Sequence, residues 1–257
     1  MTSETPLVAI VTGGSNGIGA AIATRLSSDG LTVVIVDIDA NNGERTAARL
    51  NSPNVPALFV KTNVTQMRDV DAAVKRVIDE FGRVDVLVNN AGFNSYFDAI
   101  TMNEQDWDGV FAVGLKAVWL ASRAVLPHFQ SARCGSIVNV SSIHANMTTA
   151  GMFPYAAAKA GVEGLTRSLA LDYAPYGVRV NAVAPGWTRT VLVDDWLARQ
   201  DDPAAAEAQI LGAHPLGYIA EPEDIAAVVA FLARPESRAV TGAVWAIDCG
   251  LSARLAV

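Results

Sequence analysis

Short, nearly uninterrupted apolar runs rich in valine and isoleucine alternate along the chain with longer stretches whose apolar residues recur at helical spacing. The runs are LVAIVT, TVVIVDI, ALFVKTNV, VDVLVNN, GSIVNVS, VRVNAVAP and AVWAID. Their continuous apolarity predicts strands buried on both faces. Helices are predicted over Asn16 to about Ser28, Ala40 to Leu50, Gln66 to Phe81, Glu104 to His128, Pro154 to Ala174 and Pro222 to Ala233. Such alternation predicts an α/β fold, a doubly wound parallel sheet of about seven strands with helices on both faces. Right-handed crossovers then leave a binding crevice at the carboxyl ends of the strands. No repeat or low-complexity linker interrupts the pattern, so residues 1–257 read as a single domain. One segment departs from it: 188–217 holds Trp196 and the polar run RQDDPAAAEAQ. It reads as a substrate-covering lid, with a purely structural helix pair as the alternative. In FAVGLKAVWLASRAVL, Gly114 sits mid-helix, where glycine costs about 0.5–1 kcal/mol relative to alanine. Close packing, an unusual backbone or the absence of a side chain that should occupy the position would account for it.

Composition narrows the function. Of the 257 residues 51% are hydrophobic and 20 are glycine, which favours a compact enzyme-like body over disorder. A net charge of −7 argues against nucleic acid or an anionic membrane as the main partner, since both require basic patches. The start, MTSETPLVAIVTGG, has no basic region leading into a long apolar stretch, so no secretory signal is expected. Lys116 and Arg123 interrupt the most apolar helix, and no bilayer-spanning run of ~20 residues is expected. Cys134 and Cys249, far apart, predict reduced thiols and a cytoplasmic setting. The three histidines share no metal-ligand spacing, so no metal is expected.

After the first strand comes TGGSNGIG, with Gly13, Gly17 and Gly19 opening a helix. Glycines permit a tight turn and close approach to a pyrophosphate, whose charge suits the helix start. The next strand ends in Asp37, at the distance where an acidic residue reaches an adenosine ribose. A carboxylate there repels the extra phosphate of NADP, and the glycine loop holds no lysine or arginine, so NAD is the predicted cofactor. The alternative for Asp37 is a helix cap or turn residue in DIDANNG. Farther on, SSIHANMTTAGMFPYAAAKAG carries Ser142, Tyr155 and Lys159. Tyr155 and Lys159 share one face of a helix opened by Pro154, where an ammonium would lower the phenol pKa. Ser142 could donate to a substrate oxygen beside the phenol.

TGGSNGIG, Asp37, NNAG at 89–92, Ser142, Tyr155-Ala-Ala-Ala-Lys159, and Pro185-Gly186 followed by Thr190 occur in the order of the short-chain dehydrogenase/reductase family. The chain resembles that family from about Leu7 to Ser252. The resemblance implies a Rossmann-type fold, nicotinamide hydride transfer and a homo-oligomer, usually a tetramer, with residues 251–257 reaching toward a neighbouring subunit. It makes Tyr155 the acid/base, Ser142 the group that positions the substrate oxygen, and Lys159 the residue that holds the nicotinamide ribose and lowers the tyrosine pKa. It places Ser15, Asn16 and Ile18 of the glycine turn at the cofactor, with Ile38 beside Asp37. Asn63 and Val64 fall at the adenine, where the family commonly has Asp-Val. Asn90, Ala91 and Gly92 pass under the cofactor, and Pro185, Gly186, Thr188 and Thr190 approach the carboxamide. Ile18 and Val183 read as lining or as core. Gly114 and Cys249 depart from the pattern, standing where the family usually has asparagine and glycine; the asparagine is associated there with a helix irregularity and a water leading to the lysine.

Candidate substrate contacts are Asn94, His144, Asn146, Trp187, Arg189 and Trp196. His144 could equally face solvent, and Arg189 could pair with Asp194 or Asp195. The hydrogen-bonding groups among them suit a polyhydroxylated substrate, and a fainter likeness to family members that oxidise aldoses points to a sugar dehydrogenase forming a lactone. The alternatives are a secondary alcohol, 3-hydroxyacyl or steroid dehydrogenase, or a protein that binds NAD for regulation without turnover.

Overall fold

The computed structural model describes residues 6–254. Seven strands, β1 (Val8–Thr12), β2 (Thr32–Asp37), β3 (Ala57–Lys61), β4 (Val86–Asn89), β5 (Gly135–Val140), β6 (Val178–Pro185) and β7 (Val244–Ile247), form one parallel sheet ordered β3-β2-β1-β4-β5-β6-β7. The chain order reverses beside β1, which pairs with β2 on one side and β4 on the other. Between β1 and β4 the helices diverge to opposite faces and leave a crevice.

Alternate strand residues feed two cores. Ala9 and Val11 of β1 pack with Ile22, Ala23 and Leu26 of α1 (Gly17–Ser28) and with α9 (Pro222–Ala233), below α2 (Ala40–Leu50). Val8 and Ile10 face α3 (Met67–Phe81), α5 (Ala117–Ala132) and α6 (Tyr155–Tyr173). The central strands are buried on both faces, as their continuous apolarity predicts. The edge strands β3 and β7 are not: only one neighbour covers each, and their residues stay partly exposed.

The apolar helix predicted over Glu104 to His128 runs from Glu104 to Ala132, passing through Pro127 and ending where Arg133 turns left-handed at φ 52°. Contrary to the expectation set by Lys116 and Arg123, it is long and apolar enough to cross a membrane by length and composition, its most apolar 18-residue window having mean hydropathy 1.5, yet 44% of that window is buried inside the fold. It is built as α4 (Glu104–Phe111) and α5 joined by a π-helical turn, Ala112–Lys116. Gly114 lies in that turn, and a Cβ there would stand 3.1 Å from Cβ of Ala158 on α6. Two of the explanations for this glycine therefore hold, an irregular backbone and a tight helix contact. Residues 188–217 form two short helices, α7 (Val191–Ala198) and α8 (Pro203–Ala213), around a small cluster of Leu197, Ile210 and Ile219.

Gly135, at the start of β5, is fixed by packing: an added Cβ would meet Cγ of the fully buried Phe129 at 2.3 Å. Gly135→Ala is expected to destabilise the protein by about 1–3 kcal/mol, read as a lower urea midpoint with an unchanged m-value.

Candidate active site

A cleft of about 1110 Å³ opens at the carboxyl ends of the central strands. At its β1–α1 corner backbone meets backbone. A Cβ on Gly13, whose φ is +64°, would stand 2.8 Å from Cα of Ala91, and one on Gly19 would stand 2.0 Å from the Gly13 carbonyl oxygen. Asn90 holds this approach, donating its amide to the carbonyls of Thr12 and Gly13 at 3.1 and 3.0 Å. Asn16 precedes α1 without capping it; its amide turns to the Asp39 carboxylate at 3.4 Å. By contrast α2, α4 and α8 are each capped by an Asp or Asn side chain. The start of α1 thus keeps unfilled N–H donors, carries no acid in its first turn, and lies at the cleft wall with Asn16, Gly17 and Ile18. That donor set and steric cradle fit a dinucleotide pyrophosphate.

Asp37 accepts the backbone N–H groups of Ser15 and Asp39, each at 3.1 Å. The cap of α2 is Asp39, which accepts from the Asn42 N–H, so Asp37 is not used for capping and lies at the cleft with Ile38, Asn63 and Val64. Gly92, Pro185, Gly186, Thr188 and Thr190 line the opposite side. One expected contact lies elsewhere: Ser15 is buried beneath the turn with its hydroxyl on the Asp39 carbonyl. Of the two readings for Val183, the core one holds. Asn42, Thr62 and Thr65 line the Asp37 end of the cleft unanticipated; the polar run TNVT after β3 was the available signal.

Tyr155, Lys159 and Ser142 meet in the same cleft. Lys159 is 5% exposed and donates from Nζ to the carbonyl of Val140 at 2.9 Å. Its burial pulls the ammonium down to about 8. The expected depression of the tyrosine by this lysine is reversed. Burial pushes the Tyr155 phenol up to about 12, against a hydrogen bond with Ser142 that favours the phenolate, and the nearby Tyr96 raises it further. Lys159 has turned to Val140 and its Nζ is 5.6 Å from the Tyr155 ring centre. A phenol kept protonated beside a serine hydroxyl can hold a carbonyl oxygen and donate a proton as charge develops on it. His144 is half-buried, edge-on to the Tyr155 ring at 5.9 Å, with Nδ1 3.0 Å from the Thr148 hydroxyl, and burial lowers its pKa.

On the substrate side Asn94, His144, Trp187 and Trp196 line the cleft, with Asn94 donating to the Tyr96 hydroxyl at 3.2 Å and the two indoles 5.0 Å apart. Asn146 and Arg189 do not line it. The Asn146 amide is drawn to the buried Glu163 carboxylate, at 3.1 and 3.0 Å. Arg189 pairs with Glu207 at 2.6 Å and with Asp194 at 3.9 Å, joining α8 to α7. Phe93, Tyr96, Met152 and Val193 complete a wall that is largely apolar and aromatic.

The depressed lysine predicts a pH slope in stability. Between about pH 8 and 10 the unfolded chain binds a proton that the folded chain has lost from Lys159, so stability rises with pH across this window. Above pH 10 the raised tyrosine acts the other way. Urea unfolding at pH 7.5 and 9.5 should show a gain for the wild type that is missing in Lys159→Met.

The family model described as Enoyl-(Acyl carrier protein) reductase matches residues 13–252. The chain is 42% identical over 249 residues to the cis-4-hydroxycyclohexanecarboxylate dehydrogenase of Sinomonas cyclohexanicum, covering 96% of both. It is 40% identical over 244 residues to the short-chain reductase protein NovJ of Streptomyces niveus, covering 95% of this chain and 93% of that one. Among solved structures, that of levodione reductase matches with a TM-score of 0.92 at 32% identity, over 97% of this chain and 98% of that one. The chain belongs to the short-chain dehydrogenase/reductase family and is an oxidoreductase acting on CH–OH groups.

Proposed function

We propose that this protein is an NAD-linked oxidoreductase interconverting a neutral, compact cyclic secondary alcohol and its ketone, with Tyr155 as the acid/base. The observation that carries the substrate class is the wall around Tyr155 and Ser142. Once Asn146 and Arg189 are bound to Glu163 and Glu207, aromatic and apolar groups dominate it. Lys159 is the only cation among the described lining residues and is occupied at Val140, so a substrate carboxylate would lack a partner. The relative from Sinomonas is named for a ring-borne secondary alcohol, which agrees with the cyclic alcohol; its name also carries a carboxylate, the group for which the described lining residues here hold no free cation. An aldose oxidised to its lactone is the second reading, favoured by Asn94 and His144 on the cleft wall.

The nicotinamide, when bound, supplies or takes the hydride. The protein's own groups do the rest. Ser142 and Tyr155 hold the substrate oxygen, Tyr155 moves its proton, and Lys159 holds the ribose. Gly114 contributes through its backbone, its carbonyl receiving a water on the route from Lys159 to solvent. A non-catalytic NAD-binding role is the weaker reading, since all three reacting groups share one cleft. Asp37 selects NAD by repelling the phosphate of NADP. Segment 188–217 covers the substrate within a single catalytic domain, its Trp196 and the preceding Trp187 forming the inner face. The chain acts in the cytoplasm as a homo-oligomer, a tetramer being expected. Exposed Trp119 on α5, Leu171 on α6, and Phe231 on α9 tilted against Trp245 of edge strand β7 supply apolar surface for it.

A panel of neutral cyclohexanols and cyclic ketones, carboxylated rings and aldoses, followed by NADH absorbance, tests the reading. Highest kcat/KM is expected on neutral rings; activity confined to aldoses would replace this reading with the second. Tyr155→Phe should lower turnover by about 10²- to 10⁴-fold while NAD still binds. Asp37→Ala should move the NADP-to-NAD ratio of kcat/KM toward NADP by at least about tenfold. Because oxidation needs the phenolate and the phenol stands near 12, the oxidation rate should climb toward alkaline pH while the reduction rate does not.

A further inference from the structure

Glu163 is a buried carboxylate that the reaction above leaves without a role. It is 5% exposed and lies on α6, one helical turn beyond Lys159 and two beyond Tyr155. The Asn146 amide donates to Oε1 at 3.1 Å and Oε2 at 3.0 Å. The Ser141 hydroxyl stands 3.5 Å from Oε1 and 3.2 Å from the Lys159 carbonyl oxygen. These partners are neutral, so an aliphatic side chain would cost less to bury than this carboxylate does.

The placement of the partners shows what the carboxylate can do. Ser141 and Asn146 flank the short turn Ile143–Ala145, and between them Ser142 and His144 face the cleft. Ser141 and Asn146 therefore fasten both ends of this turn to the helix that carries Tyr155 and Lys159. From this geometry we propose that Glu163 is a positioning residue, clamping the Ser142 turn against α6 through Ser141 and Asn146 and so setting the spacing between the Ser142 hydroxyl and the Tyr155 phenol. The clamp rests on the proposed roles of Ser142 and Tyr155 at the substrate oxygen. An ångström of misplacement between reacting groups costs on the order of 10²-fold in rate, so a carboxylate well outside bonding distance of substrate can matter. Glutamine at 163 keeps the length and one acceptor but turns an NH₂ toward the Asn146 amide; leucine keeps neither acceptor.

Glu163→Leu, Glu163→Gln and Asn146→Ala, each alone and combined with Ser142→Ala, test this by steady-state kinetics on the best panel substrate and by NAD titration. The expected result is a fall in kcat of about 10- to 100-fold for Glu163→Leu and Asn146→Ala, with Glu163→Gln between them and wild type. NAD affinity should stay within about twofold, and no further loss should appear once Ser142 is alanine. Asn146 is exposed, so its variant carries the test if Glu163→Leu fails to fold. A kcat within about twofold of wild type in a folded clamp variant overturns the proposal. So does a loss that persists in full on the Ser142→Ala background. If Ser142→Ala alone keeps full activity, the reading of Ser142 fails first and the clamp with it.

Discussion

The hydrogen bond from the buried Lys159 ammonium to the carbonyl of Val140, 2.9 Å long, is the interaction on which the arrangement of the site depends. Val140 ends β5, the strand that delivers Ser142, whereas Lys159 belongs to the helix that begins with Tyr155. One bond thus joins the two carriers of the chemistry. A cation removed from water must keep a partner, and a strand-end carbonyl supplies one in a position that the sheet itself makes rigid. The same burial that pulls the lysine down to about 8 pushes the phenol up to about 12. The acid is thereby kept loaded, and loaded beside the serine that can share its target.

At the other end of the cleft the constraint is steric. Gly13, Gly19, Asn90 and Ala91 bring the β1–α1 turn against the end of β4 so closely that side chains are excluded. Beside this contact the start of α1 is uncapped, whereas the start of α2 is capped by Asp39. A capping side chain would fill the N–H donors that face the cleft. Asp37 belongs to the same economy of polar groups, since Asp39 takes over the capping of α2. On the helical side Gly114 sits in a π-turn, where an added Cβ would press on Ala158 at 3.1 Å.

The order of elements, the parallel sheet and the meeting of Gly13, Asp37, Ser142, Tyr155 and Lys159 in one crevice were legible in the residues, because apolar runs and helical spacing are local signals and a parallel sheet converges its strand ends. Burial at the sheet edges was not legible: ALFVKTNV and AVWAID read like the central runs, and only the strand order makes them edges. Asn146 and Arg189 read as substrate contacts because they flank the reacting groups in the chain. Their hydrogen bonds go instead to Glu163 and Glu207, 17 and 18 positions away. The pairing of Arg189 with Asp194, also offered by the sequence, is present at 3.9 Å, but nothing local announces Glu163 or Glu207.

By itself, then, the sequence determined the secondary structure, the class of fold, the glycine turn and the identities of the reacting groups, since each follows from short-range periodicity or from the chemistry of a residue type. The tertiary structure alone decided which polar side chains face the cleft and which are consumed in holding it, and in which direction the phenol and ammonium shift. The physical reason is that both depend on burial and on partners distant in the chain. A side chain's hydration, and with it the pKa of an acid or amine, exists only once the elements have packed.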